Sequence, residues 1–198
     1  MIAIMDYDIG NLGSVKNALD YLGFDNVITS DRDVILSADK IILPGVGAFK
    51  DAMEAFKRKK FDLVINEAIK KNIPILGICV GMQILFTRSF ENGVYEGLDI
   101  IHGDIVKFDF KCDRVPHVGW NQITVCKDNR LLKGLDNSFV YFVHSYYAKI
   151  NDYTISTTNY AGVSFCSAIN YKNIYATQFH PEKSGEVGLK ILKNFGDL

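Results

Sequence analysis

Pro74-Ile75-Leu76-Gly77-Ile78-Cys79-Val80-Gly81-Met82-Gln83 reads as a short apolar run, a cysteine with glycines two before and two after, then a helical pattern. An apolar run of this length bounded by turn residues fits a buried strand. Gly-x-Cys-x-Gly at a strand-to-helix junction is the cysteine form of the nucleophile elbow, a sharp turn that lifts a reactive side chain above the end of a sheet. Glycine suits such a turn because backbones approach where a Cβ would collide. At the start of a helix, free N–H groups and the dipole favour thiolate over thiol. The Val80 N–H, next after the cysteine, is expected to point to where an oxyanion forms.

A lone cysteine is more commonly a small buried hydrophobe. Cys112, Cys126 and Cys166 lack flanking glycines and a following helix, so they keep that reading. The rest of the chain decides for Cys79.

Outward from the elbow, the first half alternates strands with helices. Ile2–Met5, Val27–Thr29 and Lys40–Leu43 read as strands. Ser14 is placed as the cap of a helix carrying Val15, Ala18, Leu19 and Leu22, and Ser30–Ala38 as a polar link. Helices are predicted near Phe49–Lys59 and Phe61–Lys71. This alternation predicts an α/β fold, a mostly parallel central sheet flanked by helices. The second half is rich in aromatic and β-branched residues. Asp104–Phe108, Ile123–Cys126, Phe139–His144, Thr154–Thr158, Val163–Ile169 and Ile174–Gln178 read as strands of an antiparallel β extension, before a last helix over Gly185–Phe195.

At 198 residues and 48% hydrophobic, the chain is expected to form a single domain over 1–198. Lys+Arg 22 against Asp+Glu 23 gives no basic field, so neither nucleic acid nor an anionic membrane surface is an expected partner. The stretch Met1-Ile2-Ala3-Ile4-Met5-Asp6 has no basic region and meets an acid at once, unlike a signal peptide. No apolar run approaches the ~20 residues of a membrane span. Four cysteines without a Cys-x-x-Cys pair argue against a metal knuckle or a disulfide framework. A cytoplasmic protein is the expectation.

Sites on open α/β sheets lie at the carboxyl ends of strands. Three loops are predicted to meet there: the one after Leu43, the elbow, and Gln178-Phe179-His180-Pro181-Glu182. Pro181 biases His180 toward an extended backbone, in which residues i and i+2 face the same way. His180 and Glu182 are then side by side, the carboxylate orienting the imidazole. Cys–His–Glu makes a nucleophile, a base and an orienter. Alone, His-Pro-Glu is better read as a surface turn; beside an elbow cysteine it becomes a much stronger signal. Pro44-Gly45-Val46-Gly47 has a similar double reading, a plain β–α turn or a strand whose Val46 or Gly47 N–H is a second oxyanion donor. It lacks the length and the Lys-Ser/Thr end of a phosphate loop. His102, in a glycine-bounded loop, reads as solvated; His117 and His144 read as partly buried and hydrogen-bonded. No His/Cys/Asp/Glu cluster has metal spacing, and no cofactor is expected.

Gly77-Ile-Cys79-Val-Gly81-Met-Gln83 together with His180-Pro-Glu182 resembles the class I (triad) glutamine amidotransferases, a flavodoxin-like fold. Within that family, Pro44–Phe49, Val115–Asn121, Phe142–Tyr146 and Gln178–Ser184 are similar to the glutaminase subunits of imidazole glycerol phosphate synthases, and the likeness runs through essentially the whole chain. The resemblance implies that Cys79 attacks the carboxamide of glutamine to give a glutamyl thioester, while His180 moves the protons and Glu182 orients it. It implies that Gln83, Glu91, Ser145 and Tyr146 hold L-glutamine. It implies a heterodimer with a (βα)₈-barrel cyclase, which receives the ammonia and makes imidazole glycerol phosphate and AICAR for histidine biosynthesis, with Tyr141, Trp120 and Lys183 facing it. It also implies near-inactivity of the isolated glutaminase. The family's first loop usually reads Asp-Tyr-Gly-x-Gly-Asn with an arginine near position 13; here Asp8 and Gly13 stand, and His102 replaces a more usual proline or acid. Because that loop lies toward the partner, an alternative acceptor stays open, a cyclase-like barrel that amidinates a cell-surface sugar.

Overall fold

A computed structural model describes residues 1–108 and 115–198. The first half builds β1 (Ile2–Met5), α1 (Leu12–Tyr21), β2 (Asn26–Thr29), α2 (Arg32–Ser37), β3 (Lys40–Leu43), α3 (Phe49–Arg58), α4 (Phe61–Lys70), β4 (Ile75–Ile78) and the single turn α5 (Val80–Gln83). There follow β5 (Phe86–Ser89), β6 (Tyr95–Glu96), β7 (Ile101–Lys107), β8 (His117–Gln122), β9 (Thr124–Val125), β10 (Phe139–His144), β11 (Tyr146–Ala148), β12 (Thr154–Tyr160), β13 (Val163–Tyr171), β14 (Ile174–Thr177) and α6 (Gly185–Gly196).

Strands β2-β1-β3-β4-β14 run parallel and form one side of the sheet, with β2 at its edge; beyond β14 the sheet continues antiparallel through β13, β11 and β7, then β5 joins β7 in parallel and β6 pairs antiparallel with β5. The predicted α/β sheet with an antiparallel extension is therefore present. The strands β1 and β4 are buried at every residue, which is why they appear in the sequence as unbroken apolar runs. The chain steps from β1 to β2 in one direction and from β2 to β3 to β4 in the other. Right-handed crossovers then put α1 on one face and α2, α3 and α4 on the opposite face, and α6 packs beside α1. The loops leaving β1 and β3 meet at the carboxyl ends of the strands, where the Tyr7 hydroxyl of the first bonds the Pro44 carbonyl of the second.

The structure corrects several local expectations. The segment read as a polar link contains α2, nucleated by Asp31, whose carboxylate accepts the N–H groups of Asp33 (2.8 Å) and Val34 (3.2 Å). The first helix starts at Leu12, with Asn11 in the capping position, so Ser14 lies inside it. His102 lies in β7, its side chain exposed and 3.2 Å from the Asp99 carboxylate. The strand expected over Ile123–Cys126 shortens to β9, and β8, which pairs with β10 as a separate ribbon, has no counterpart among the expected strands. Cys112 lies outside the described residues.

The substitution at Asp8 has a geometric reading. Its φ is +69°, a left-handed conformation that suits glycine and that aspartate tolerates better than most residues. Its carboxylate bonds Lys59 (2.9 Å) and Arg58 (3.2 Å), which hold its pKa below the usual carboxylate range and tie the first loop to the end of α3.

Candidate active site

Cys79 sits at the top of β4 with φ +55° and ψ −108°, a strained backbone for a residue with a Cβ, costing about 1–3 kcal/mol. The surroundings enforce it. A Cβ on Gly77 would stand 2.7 Å from the Gly81 carbonyl oxygen, and one on Gly81 would stand 2.0 Å from that of Leu43. The Cys79 N–H bonds the Thr177 carbonyl on β14 at 2.8 Å, and its own carbonyl accepts the N–H groups of Met82 and Gln83. The helix expected after the cysteine is only the four-residue α5, so the local contribution is a turn of free N–H groups rather than a long dipole. Val80 is the first residue of that turn, where an N–H has no intrahelical acceptor.

The Pro44–Gly47 segment leans on the elbow. Gly45 is pressed so closely that a Cβ there would lie 2.4 Å from the Gly81 nitrogen. The Tyr7 hydroxyl donates to the Pro44 carbonyl, and Gly47 takes φ +83°. Tyr7 is fully buried; burial raises its pKa, and the neighbouring Cys79 adds to the rise.

His180 follows β14. Its N–H bonds the Tyr141 carbonyl on β10 (2.9 Å), and its carbonyl accepts the Ser184 hydroxyl (2.6 Å), which in turn accepts the Tyr141 N–H (2.9 Å). The backbone of His180 is thus bolted at both ends. The expectation that His180 and Glu182 adjoin holds, but not for the reason of an extended strand: Pro181–Lys183 is a turn of 3₁₀ helix. That turn brings Glu182 Oε1 to 2.8 Å from His180 Nδ1, both side chains almost wholly buried. Asn11 reaches the same oxygen with its Nδ2 at 3.4 Å. His180 Nε2, the other ring nitrogen, is buried with no hydrogen-bond partner. Burial opposes charge on this imidazole, but the Cys79 sulfur and the Glu182 carboxylate outweigh it and raise the pKa to about 10.

Cys79 and His180 line one cavity of about 280 Å³, together with Val46, Gly47, Val80, Gln83, Glu91, Ser145, Tyr146 and Lys183. All the glutamine-binding and oxyanion candidates of the sequence therefore meet at a single hollow. Glu91 is engaged there already, accepting the Phe49 N–H at the start of α3 (2.7 Å). Gln83 Nε2 donates to the Tyr146 carbonyl and to Gln178 Oε1, both at 3.0 Å. Gln178 places its Nε2 3.7 Å from the Cys79 sulfur. Of the interface candidates, Trp120 and Tyr141 form a cross-strand pair on the β8–β10 ribbon, ring centroids 6.3 Å apart, and Trp120 is 56% exposed. Val143 on the outer side of that ribbon also lines the cavity.

Tyr7, Asn11, Gln178 and Ser184 join the site without having been candidates from the sequence. For Gln178 a signal exists, since it stands two residues before His180 on an extended segment. The contacts of Tyr7 and Asn11 join residues 37 and 171 positions apart, which no local pattern reports.

The buried pair His117 and His144 is neutral, burial lowering the pKa values to about 4 and about 3. Among the described residues no group of three or more His, Cys, Asp or Glu is arranged to hold a metal, and no helix is long and apolar enough to cross a membrane.

The chain is 47% identical to an imidazole glycerol phosphate synthase subunit HisH of Chlorobaculum tepidum, over all of both chains. It is 50% identical to the protein of that name from Caldanaerobacter subterraneus, covering all of this chain and 98% of the relative. Among solved structures it is similar in fold to PurLQS of Thermotoga maritima, with TM-score 0.74, 18% identity and coverage of 98% of this chain and 96% of the other. It is likewise similar to a glutamine amidotransferase of Thermotoga maritima, with TM-score 0.66, 16% identity and coverage of 99% and 82%. The family model described as glutamine amidotransferase class-I matches residues 3–197. With that match running nearly end to end over a chain whose elbow cysteine and His180 line one cavity, the protein belongs to the class-I glutamine amidotransferases.

Proposed function

We propose that the chain, acting as one domain over residues 1–198, is the glutamine-hydrolysing subunit of an imidazole glycerol phosphate synthase in histidine biosynthesis. Its full-length likeness to the HisH subunits supports the pathway. The observation that carries the chemistry is the buried Cys79 lining the same cavity as His180, whose Nδ1 is held by Glu182.

In this reading glutamine enters the cavity with its side-chain carboxamide over Cys79, held by Gln83, Glu91, Ser145 and Tyr146. The Cys79 thiol proton rests on His180 Nε2, as the raised pKa of the imidazole favours. The thiolate attacks the carboxamide carbon, and the oxyanion that forms is held by the N–H of Val80 and by that of Val46 or Gly47. His180 gives its proton to the amide nitrogen, the C–N bond breaks, and ammonia departs, leaving the glutamyl thioester. His180 then takes a proton from water, whose oxygen attacks the thioester; glutamate leaves and the thiolate–imidazolium pair is restored. The ammonia passes to a (βα)₈-barrel cyclase docked on the Trp120–Tyr141 ribbon beside Lys183. Backbone bonds from Tyr141 to His180 and Ser184 give that docking a direct mechanical link to the His–Glu turn.

Two results test this. Glutamate release from glutamine is expected to be slow for the chain alone and strongly stimulated by the cyclase with its ribulosyl-imidazole phosphate substrate. Hydrolysis that this cyclase never stimulates would keep the glutaminase and move the acceptor to the sugar-amidinating branch. Equal rates with and without the partner would contradict the dependence of the glutaminase on the cyclase.

The second concerns pH. The imidazolium of His180 is present below its folded pKa and is lost as pH rises through about 10, so the alkaline limb of glutamate release is expected near there rather than near the ordinary 6.5. Glu182→Gln removes one of the charges that raise it, so the limb should move to lower pH. A rate profile of the complex across neutral and alkaline pH measures this, and an unmoved limb would remove Glu182 from its orienting role.

A further inference from the structure

Several buried amides and imidazoles outside the triad form one hydrogen-bonded network whose polarity is set by backbone atoms. The Tyr146 carbonyl can only accept, and it takes His144 Nδ1–H at 2.9 Å and Gln83 Nε2–H at 3.0 Å. Gln83 therefore has its nitrogen on that side, and its second amide hydrogen goes to Gln178, which must present its oxygen. The Gln178 nitrogen is then turned to Cys79 Sγ, 3.7 Å away. The other arm agrees. His144, donating from Nδ1, accepts at Nε2 from His117 Nδ1 (3.0 Å), and His117 accepts at Nε2 from Asn121 Nδ2 (3.2 Å). Asn121 is fixed independently, since its Nδ2 faces the Asn159 carbonyl (3.0 Å) and its Oδ1 the Gln122 N–H (2.7 Å). Every amide and tautomer follows from carbonyl and N–H groups that cannot be turned round.

We propose that Gln178 stabilises the Cys79 thiolate by donating an amide hydrogen to its sulfur, with Gln83 as the positioning residue that keeps that hydrogen aimed. The inference rests on the reading of Cys79 as the nucleophile. An N–H donor strengthens when the acceptor is charged, so this amide favours the thiolate over the thiol and over the neutral thioester sulfur. Gln178 is fully buried, so no water competes for the donor and any group that replaces it leaves the sulfur with a poorer partner. The titratable groups around the sulfur are His180 and Tyr7 beside it and, around the cavity, His144, Tyr146, Glu91 and Lys183. Gln178 differs from all of them in being a donor that does not change its protonation state. Gln83 accordingly has two tasks: its Nε2 is consumed inside the protein, and Oε1 is the atom left for a bound ligand.

The test is carbamidomethylation of Cys79 by iodoacetamide, in which sulfur bonds the methylene carbon and iodide leaves, followed across pH by mass analysis of the Cys79 peptide. Gln178→Met keeps the volume and removes the donor. Its alkylation profile should be displaced to the alkaline side, so that on the acid limb the rate at a given pH falls about tenfold, the worth of one hydrogen bond to a charged group. Gln178→Glu keeps the acceptor for Gln83 but turns a carboxylate oxygen to the sulfur, and the fall should be larger. A merely structural defect moves the other way, because opening the fold exposes a thiol that is 4% accessible and accelerates alkylation. If the methionine variant loses its native unfolding transition, the near-isosteric glutamate variant decides. A native-like variant with the wild-type profile would overturn the proposal for Gln178. Failure of the underlying reading looks different: wild-type glutaminase activity would survive complete alkylation of Cys79.

Discussion

Replacing Cys79 by alanine is expected to lower glutamate release in the stimulated complex by at least ~10⁴-fold, because the covalent route is lost and no other cysteine among the described residues lines the cavity. Cys126 is exposed and Cys166 is buried within the antiparallel strand β13, where burial raises the thiol pKa to about 12. Neither lines the cavity with His180. The fold should survive the change: alanine keeps the Cβ and so bears the same strain at φ +55°, and the Cys79 backbone bonds are unaltered. Binding of glutamine should persist for the same reason. His180→Asn is expected to cost nearly as much, and the double variant no more than either alone, since residues that act as one device are not additive. Steady-state glutamate assays on the three variants, with thermal unfolding alongside, check all of this. A Cys79→Ala enzyme retaining a tenth of the activity would contradict it.

The second large effect is at Gly81. An alanine Cβ there meets the Leu43 carbonyl oxygen at 2.0 Å and its carbon at 3.0 Å, atoms of β3 that cannot rotate away as a side chain end could. The turn α5 must lift off β3, and with it the Val80 N–H and the register of Cys79 against the Pro44–Gly47 segment. Overpacking of this kind costs about 1–3 kcal/mol. The loss of activity should exceed what that destabilisation explains, because the oxyanion site is displaced even in the molecules that remain folded. Gly13→Ala is the internal control. Gly13 lies within α1 with nothing inside 4 Å of the added Cβ, so alanine there should stabilise the helix by about 1 kcal/mol and leave glutaminase untouched. Unfolding midpoints and glutamate release for the two variants separate a steric elbow from a generic intolerance of alanine.

These cases mark what was legible in the sequence. The parallel half was legible because β1 and β4 are buried on both faces and appear as uninterrupted apolar runs, and because the elbow glycines have steric reasons that survive in any fold. The six-residue α2 was not, since only Ile35 is buried in it and its start depends on the Asp31 cap. The β8–β10 ribbon was legible by half: Phe139–His144 was apparent, while His117–Gln122 is interrupted by Gly119 and carries polar residues that only pairing explains. The His180–Glu182 contact was reached by a backbone argument that the 3₁₀ turn replaces. Gln178 shows the other limit. Its place on the strand was predictable, but the direction of its amide is decided by the Tyr146 carbonyl, 32 positions earlier in the chain, through Gln83.

The most direct measurement is the mass of the chain quenched in acid during turnover of glutamine, in the presence of the cyclase and its substrate. The account predicts a glutamyl adduct on the peptide that carries Cys79, absent from Cys79→Ala and accumulating when water attack is slowed in the Glu182→Gln variant. Glutamate formed with no adduct at any quench time, or an adduct on Cys112, Cys126 or Cys166, would contradict it.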